Sequence, residues 1–189
     1  MKKIKVSMHI TLDGFVAGLN GEMDWIKIDN EMFDFGKAFT DNADTALYGR
    51  ATWQMMDGYW PTAADNPDAT KHDKEHSAWY NSVDKIVLSN SMKGQKVNKT
   101  TFVGGDIVTQ INELKQKNGK DILIFGSPSA VRSLMKDNLI DEYWLFVNPI
   151  ILGQGISMFA KLDNKIDLIH QATKEFSCGV TALNFTIKK

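Results

Sequence analysis

The sequence predicts one α/β domain in three layers: a mostly parallel central sheet, helices on both of its faces, and an antiparallel C-terminal edge. Two observations carry this. From the N-terminus to about residue 138, apolar strand-like runs alternate with segments of helical spacing, the pattern of strands joined by crossover helices. From 166 to 187 the pattern changes to two consecutive strands joined near Ser177–Gly179, which adds antiparallel pairing at one edge. No repeat, low-complexity tract or linker divides residues 1–189, so a single domain is expected.

The elements follow in order. Residues 3–12, rich in Ile, Val and Met, read as the first strand. LDGFVAGLNGEMDW is punctuated by Gly14, Gly18 and Gly21 and reads as a flexible loop. In 31–39, Met32, Phe35 and Phe39 recur at helical spacing. Thr45–Tyr48 is a short strand leading into a helix over 50–57. Residues 61–76 are polar with two prolines and read as a loop closing in a short helix. KIVLS at 85–89 and TTFVGG at 100–105 are strands, and Asp106 is placed to cap a helix running to about Lys117. DILIF at 121–125 is the most apolar strand, turned by Gly126-Ser127-Pro128-Ser129 into the helix AVRSLMKDN. DEYWLFVNPII is a long strand ended by Pro149, and 152–155 is a loop.

Bulk properties narrow the function. The formal net charge is −1, with 24% charged and 43% hydrophobic residues. That excludes the basic excess of a general nucleic-acid or membrane-surface binder, so any anion site is local. One cysteine, Cys178, rules out an internal disulfide and fits a reduced, cytoplasmic setting. Lys2 and Lys3 resemble a signal n-region, but Asp13 and Gly14 interrupt the apolar stretch, and no run reaches the ~18 apolar residues of a membrane span.

Two strand-to-helix turns look alike: Gly49-Arg50-Ala51-Thr52 and Gly126-Ser127-Pro128-Ser129. A helix N-terminus offers free N–H groups and partial positive charge to an anion, glycine allows close approach, Thr52 or Ser129 adds a hydroxyl, and Arg50 adds a charged contact. Two such turns at strand carboxyl ends suit the two ends of a pyrophosphate. Each turn alone is more often a glycine strand end with a capped helix that binds nothing; the two together at strand carboxyl ends weigh about evenly between that and a ligand site. Neither G-x-G-x-x-G nor G-x-x-x-x-G-K-[ST] is present.

The segments SMHITLDGFVAG, GRATWQMM, IVLSNS and IFGSPSAVRSLMKDNLIDEYWLFVNPIILGQGISMF, taken together, resemble the dihydrofolate reductase-like superfamily. More narrowly they resemble the reductase domain of riboflavin biosynthesis and its stand-alone bacterial relatives. The resemblance implies an NADPH cofactor. It places Gly49, Arg50, Ala51 and Thr52 on the phosphates, Ser89 and Asn90 near the adenosine 2′-phosphate, Gly126, Ser127 and Ser129 at the pyrophosphate, and Ala17 and Gly18 at the nicotinamide. It also implies a homodimer paired through the C-terminal strands. The chain departs from the riboflavin reductases where substrate is held: Phe125 stands in place of their acidic residue before the Gly turn, Ser7 in place of a lysine, and their Asp-Asp-Pro is missing. The position of the folate enzyme's pterin-binding aspartate falls near Asn30, with Asp29 and Glu31 beside it, so no pterin-binding acid is assigned. No zinc deaminase signature is present.

The expected activity is hydride transfer from NADPH to a small planar heterocycle of pteridine or pyrimidine type. The alternatives are the phosphoribosylaminouracil reductase of riboflavin biosynthesis and a nucleotide-binding module without turnover. Asp13, beside the nicotinamide loop, is the candidate for orienting or protonating substrate, and is otherwise a turn former ahead of Gly14. Trp25, Phe33, Trp53 and Trp60 are candidates for stacking on a heterocycle, or else core or lid packing. His72 and His76 have zinc-like i, i+4 spacing, but no third ligand is evident and no metal is assigned.

Overall fold

In a computed structural model, described over residues 1–160, 162 and 164–188, the sheet is built around β1 (Ile4–Thr11), whose side chains are buried on both faces. β1 pairs in parallel with β7 (Asp121–Phe125) on one side and β8 (Glu142–Asn148) on the other. Beyond β7 lie β3 (Ala43–Gly49), β4 (Asp84–Leu88) and β6 (Thr100–Val103), all parallel, then the two-residue β5 (Lys96–Val97). Beyond β8 lie β11 (Thr181–Ile187) and β10 (Leu168–Glu175), both antiparallel to their neighbours. The order is therefore β10-β11-β8-β1-β7-β3-β4-β6-β5. The expected architecture, a parallel centre with an antiparallel C-terminal edge, is the observed one.

The centre is parallel because β1, β3, β6 and β7 are each followed, before the next strand of the sheet, by at least one helix that returns the chain to the same end, while β4 is joined to β6 through a turn and the short β5. Those helices are α1 (Asn30–Asp41), α2 (Arg50–Asp57), α3 (Lys71–Ser82), α4 (Ile107–Gln116) and α5 (Pro128–Lys136). One core layer joins Ile4, Val6, Leu47, Ile122 and Ile124 of the sheet to Ile111 of α4 and Val131 and Leu134 of α5. On the opposite face, Tyr48, Val87 and Phe102 meet Trp53 and Tyr80, and Met32 and Phe35 of α1 meet Phe146 and Phe176. Among the described residues no helix is long and apolar enough to cross a membrane.

Two segments differ from the sequence expectation. Residues 61–76, expected as a loop ending in a short helix, hold nearly all of a 3₁₀ turn (Trp60–Asp65) and the first half of the 12-residue α3, whose start is fixed by reciprocal bonds between Thr70 and Asp73. The helix was hidden because its buried face is His76, Ser77 and Tyr80 rather than an aliphatic stripe. The glycine-rich segment after β1 contains a short strand, β2 (Phe15–Ala17), paired with β9 (Ile156–Ser157) as a separate two-stranded sheet.

The turns after β3 and β7 are bonded to each other. The buried Gly49 N–H donates to Ser127 Oγ at 2.6 Å. Ser127 is 1% exposed and left-handed (φ 63°), following Gly126 at φ 63°. A Cβ at Gly49 would lie 2.7 Å from Ser129 Oγ and 3.1 Å from Ser127 Oγ. Gly49 is thus required by the neighbouring turn, in addition to any ligand.

Removing the Ser127 hydroxyl leaves a buried N–H without its acceptor, which costs roughly 1–3 kcal/mol. Ser127→Ala is expected to lower Tm by roughly 2–4 °C for each kcal/mol lost in a domain of this size. A thermal melt matching that of the wild type would show that the bond does not hold the two turns together.

Candidate functional site

The carboxyl ends of β1, β7 and β3 open into a cleft of about 680 Å³. Its floor is Ser7, Met8 and His9 of β1, and its near end is built from Ala51 and Thr52 of α2 with Gly126, Ser127, Pro128 and Ser129 of the β7–α5 turn. The two helices that start here differ from the others. α1, α3 and α4 each have an N-cap side chain accepting a backbone N–H, from Asp29, Thr70 and Asp106 respectively. α2, capped by Gly49, and α5, capped by Ser127, have none. Both starts line the cleft, through Ala51 and Thr52 of α2 and through Ser129 after Pro128 of α5, and among the described residues no side chain caps their free N–H groups, which is an arrangement suited to an anion.

A second polar cluster lies beyond α2. Arg50 is exposed and lacks an ion pair among the described residues, and its Nη1 donates to Ser91 Oγ at 3.3 Å. Ser91 Oγ is 3.2 Å from Ser89 Oγ, and Lys93 Nζ lies beside Gly105. Arg50, Ser89 and Ser91 therefore meet at the end of β4, and Lys93 of the same loop stands beside the β6–α4 turn. The sequence reading included Arg50 and Ser89 but missed Ser91 and Lys93, which stand two and four residues after Ser89 in the same loop. Asn90 acts differently: its Oδ1 accepts from Gly105 N at 2.9 Å and ties this loop to the β6–α4 turn.

Ala17 lines the cleft and Gly18 does not. The Ala17 carbonyl lies directly against Gly155, where any Cβ would collide with it, so the 152–155 loop is packed onto β2. Phe33 lines the cleft with its ring stacked on His72, centroids 3.9 Å apart and 14° between planes.

Three assignments are corrected. Asp13 is outside the cleft lining and its carboxylate is already engaged. Thr11 Oγ1 donates to Oδ1 at 2.6 Å, Leu152 N to Oδ1 at 3.2 Å and Gly153 N to Oδ2 at 2.7 Å. These bonds, the Thr11 hydroxyl foremost, hold its pKa below the usual range, so it is an ionised clamp between two loops rather than a proton donor. Trp53 faces the core, edge-on to Phe102 at 4.9 Å, because it lies on the inner side of α2. Trp25 is outside the lining and donates its indole N–H to the Glu22 carbonyl at 3.3 Å.

The sequence reading missed His9 and gave His72 and His76 no role. His9 lines the floor, stacked on Phe146 at 5.1 Å, with its Nδ1 3.2 Å from Asn148 Nδ2. Asn148 donates there because its Oδ1 is taken by Lys27 N at 2.9 Å. The neutral imidazole then carries its proton on Nε2. His76 lines the far end between Trp60, Trp79 and Phe125, and its buried Nε2 has no hydrogen-bond partner. The i, i+4 spacing that suggested a metal reflects one helix face turned to the cleft. No group of three or more His, Cys, Asp or Glu side chains able to hold a metal occurs among the described residues.

Burial holds the His76 pKa at about 3 and that of His9 at about 4, against an ordinary value near 6.5. Both are neutral when folded and take up protons more readily when unfolded. Their contribution to stability is complete above about pH 6.5 and is lost as pH falls from there toward the folded values. The Tm of the protein is expected to fall from pH 6.5 to 4.5, and His76→Phe to make that fall shallower. Parallel melting curves for the two proteins across this range would contradict the assignment.

Comparison with known proteins agrees with this geometry. The model of the RibD C-terminal domain matches residues 2–182. YyaP of Bacillus subtilis, which has no assigned function, is 34% identical over 185 residues, covering 96% of this chain and 93% of that one. Riboflavin biosynthesis protein RibD of Corynebacterium ammoniagenes is 26% identical over 155 residues, 79% of this chain and 44% of that protein. A solved protein of Shewanella sp. PV-4 that carries a provisional riboflavin-biosynthesis name superposes with a TM-score of 0.76 at 24% identity, covering 100% of both chains. The fold is dihydrofolate reductase-like, and the chain belongs to the RibD C-terminal domain family.

Proposed function

We propose that the protein is an NADPH-dependent reductase of a small planar substrate. The observation that carries this is the pair of uncapped helix starts, α2 and α5, bonded to each other at Gly49 and Ser127 and facing one cleft. Their free N–H groups fit a pyrophosphate, and Thr52 and Ser129 stand beside them. Arg50, Ser89, Ser91 and Lys93 fit a further phosphate on the adenosine side. NADPH, when bound, supplies a hydride to the carbon of a C=O or C=N group, with one proton going to the heteroatom and NADP⁺ leaving.

The chain's own residues do the rest. Ala17, held by the β2–β9 pair, presents its backbone where the resemblance puts the nicotinamide. The apolar walls around Met32, Phe33 and Met55 exclude water and hold a flat ring in place. The nearest titratable group at the β1 floor is neutral His9, whose Nε2–H can donate a hydrogen bond to substrate. Since Asp13 is bound to Thr11, Leu152 and Gly153, the proton reaches the heteroatom from solvent or through His9.

This reading includes a homodimer joined at β10. That edge strand is exposed along nearly its whole length, including Leu168 and Ile169. An exposed edge of this kind pairs with another chain unless it is blunted.

Titration calorimetry is expected to show NADPH binding about tenfold or more tighter than NADH, since a charged hydrogen bond contributes roughly 1.5–3 kcal/mol. Arg50→Ala should remove that preference without shifting Tm, and equal affinities in the wild type would defeat the cofactor assignment. In a separate measurement, light scattering at micromolar concentration is expected to give twice the mass of one chain, and a monomer mass would refute pairing through β10.

A further inference from the structure

The far end of the cleft, beyond Phe125, differs chemically from the end built by the two turns. Its walls come from α1, α2, the 3₁₀ turn and α3, and include Met32, Phe33, Met55, Met56, Trp60 and Trp79. Its charged residues are few. Lys37 is paired with Asp41 at 2.9 Å, and Glu75 adds an exposed carboxylate. Arg132 stands apart on α5, and its Nη1 is held by the Ser157 carbonyl. Among the described residues that line this wall, the cation from α1 and α3 is Lys37, already paired with Asp41, and Glu75 leaves the lining with an acidic excess. An anion taken from water into this chamber would find no counter-charge.

One polar atom in the chamber is unmatched. His76 is 9% exposed, its ring centroid lies 4.1 Å from that of Trp60 and 5.3 Å from those of Trp79 and Phe125, and its Nε2 has no partner. A buried nitrogen in an aromatic box is a costly feature unless something that enters the chamber pairs with it. The stacked Phe33–His72 pair presents a flat π-face on the neighbouring side.

We infer that the chamber takes an uncharged, phosphate-free planar ring compound, one of whose carbonyl or ring N–H groups bonds to His76 Nε2. This rests on the reductase reading and narrows it: a sugar-phosphate pyrimidine is excluded, and His76 becomes a specificity-determining residue. Phe125, where the riboflavin reductases carry an acid, belongs to the same apolar wall.

Two probes share one ring system and differ in the group at position 5: 5-nitroisatin, which is neutral and flat, and isatin-5-sulfonate, which is anionic. Both carry a ring N–H and carbonyls. In calorimetric titration of the full chain, the neutral compound is expected to bind at least tenfold tighter. His76→Phe, which keeps the aromatic packing, should weaken 5-nitroisatin at least fivefold while NADP⁺ affinity stays within about twofold. His76→Gln, which retains a donor and an acceptor, should stay within about threefold of wild type. Equal or tighter binding of the sulfonate, no binding of either isatin, or an unchanged affinity in His76→Phe would each overturn the inference. A protein that binds 5-nitroisatin in this pattern and fails to bind NADP⁺ would instead sustain the chamber and overturn the reductase reading.

Discussion

The hydrogen bond from Gly49 N–H to Ser127 Oγ fixes the distance on which the site depends. β3 and β7 are neighbours in the sheet, so the turns that leave them are already close. The bond makes them one unit, and it requires two local features. Gly49 must lack a side chain because Ser129 Oγ occupies the space a Cβ would need. Ser127 must turn left-handed so that its hydroxyl points back at β3, a conformation a non-glycine residue adopts at some cost in free energy. The result is two helix starts aimed at one place.

A second fastening holds the other wall. Asp13 joins the β1–β2 turn to the 152–153 loop, and Gly155 lies flat against Ala17, so β2 and β9 stay in register beside β1. The opposite end of the sheet is tied by buried charge. Lys115 Nζ donates to Asp141 Oδ2 at 2.6 Å and to the Leu139 carbonyl at 3.0 Å, and Ile4 N donates to the same carboxylate at 2.8 Å. Lys2 is bonded to Asp44 and Thr45 nearby. Breaking such a pair by removing one partner is costly, so these ions hold β1, β3 and β8 in place far from the cleft.

Much of this was legible in the sequence where local chemistry and burial agree. DILIF is a strand to the residue, GRATWQMM starts its helix at Arg50, and Asp106 caps α4 as expected. Legibility failed where a side chain's partner is distant in sequence. Asp13 reads as a free carboxylate until Leu152 and Gly153, about 140 residues away, are seen to donate to it. Trp53 reads as a stacking ring until the phase of α2 turns it toward Phe102. α3 stayed hidden because histidine does the work of an apolar residue on its inner face. His9 occupies an ordinary place in a strand, and only the pairing of β1 with β8 shows that Asn148 and Phe146 stand beside it.

The cleft is made from two kinds of material. At the near end a ligand would meet main-chain N–H groups, which every residue except proline supplies and which point mutation scarcely alters. At the far end it would meet side chains on α1, α3 and the 3₁₀ turn, which pack on one another and on Phe125 and Phe146 of the sheet. Substitutions there can accumulate without disturbing Gly49 or Ser127. Descendants of such a chain could therefore exchange one reducible compound for another in a few steps while keeping the same electron source, which makes the far wall the region in which closely similar sequences would be expected to diverge in use.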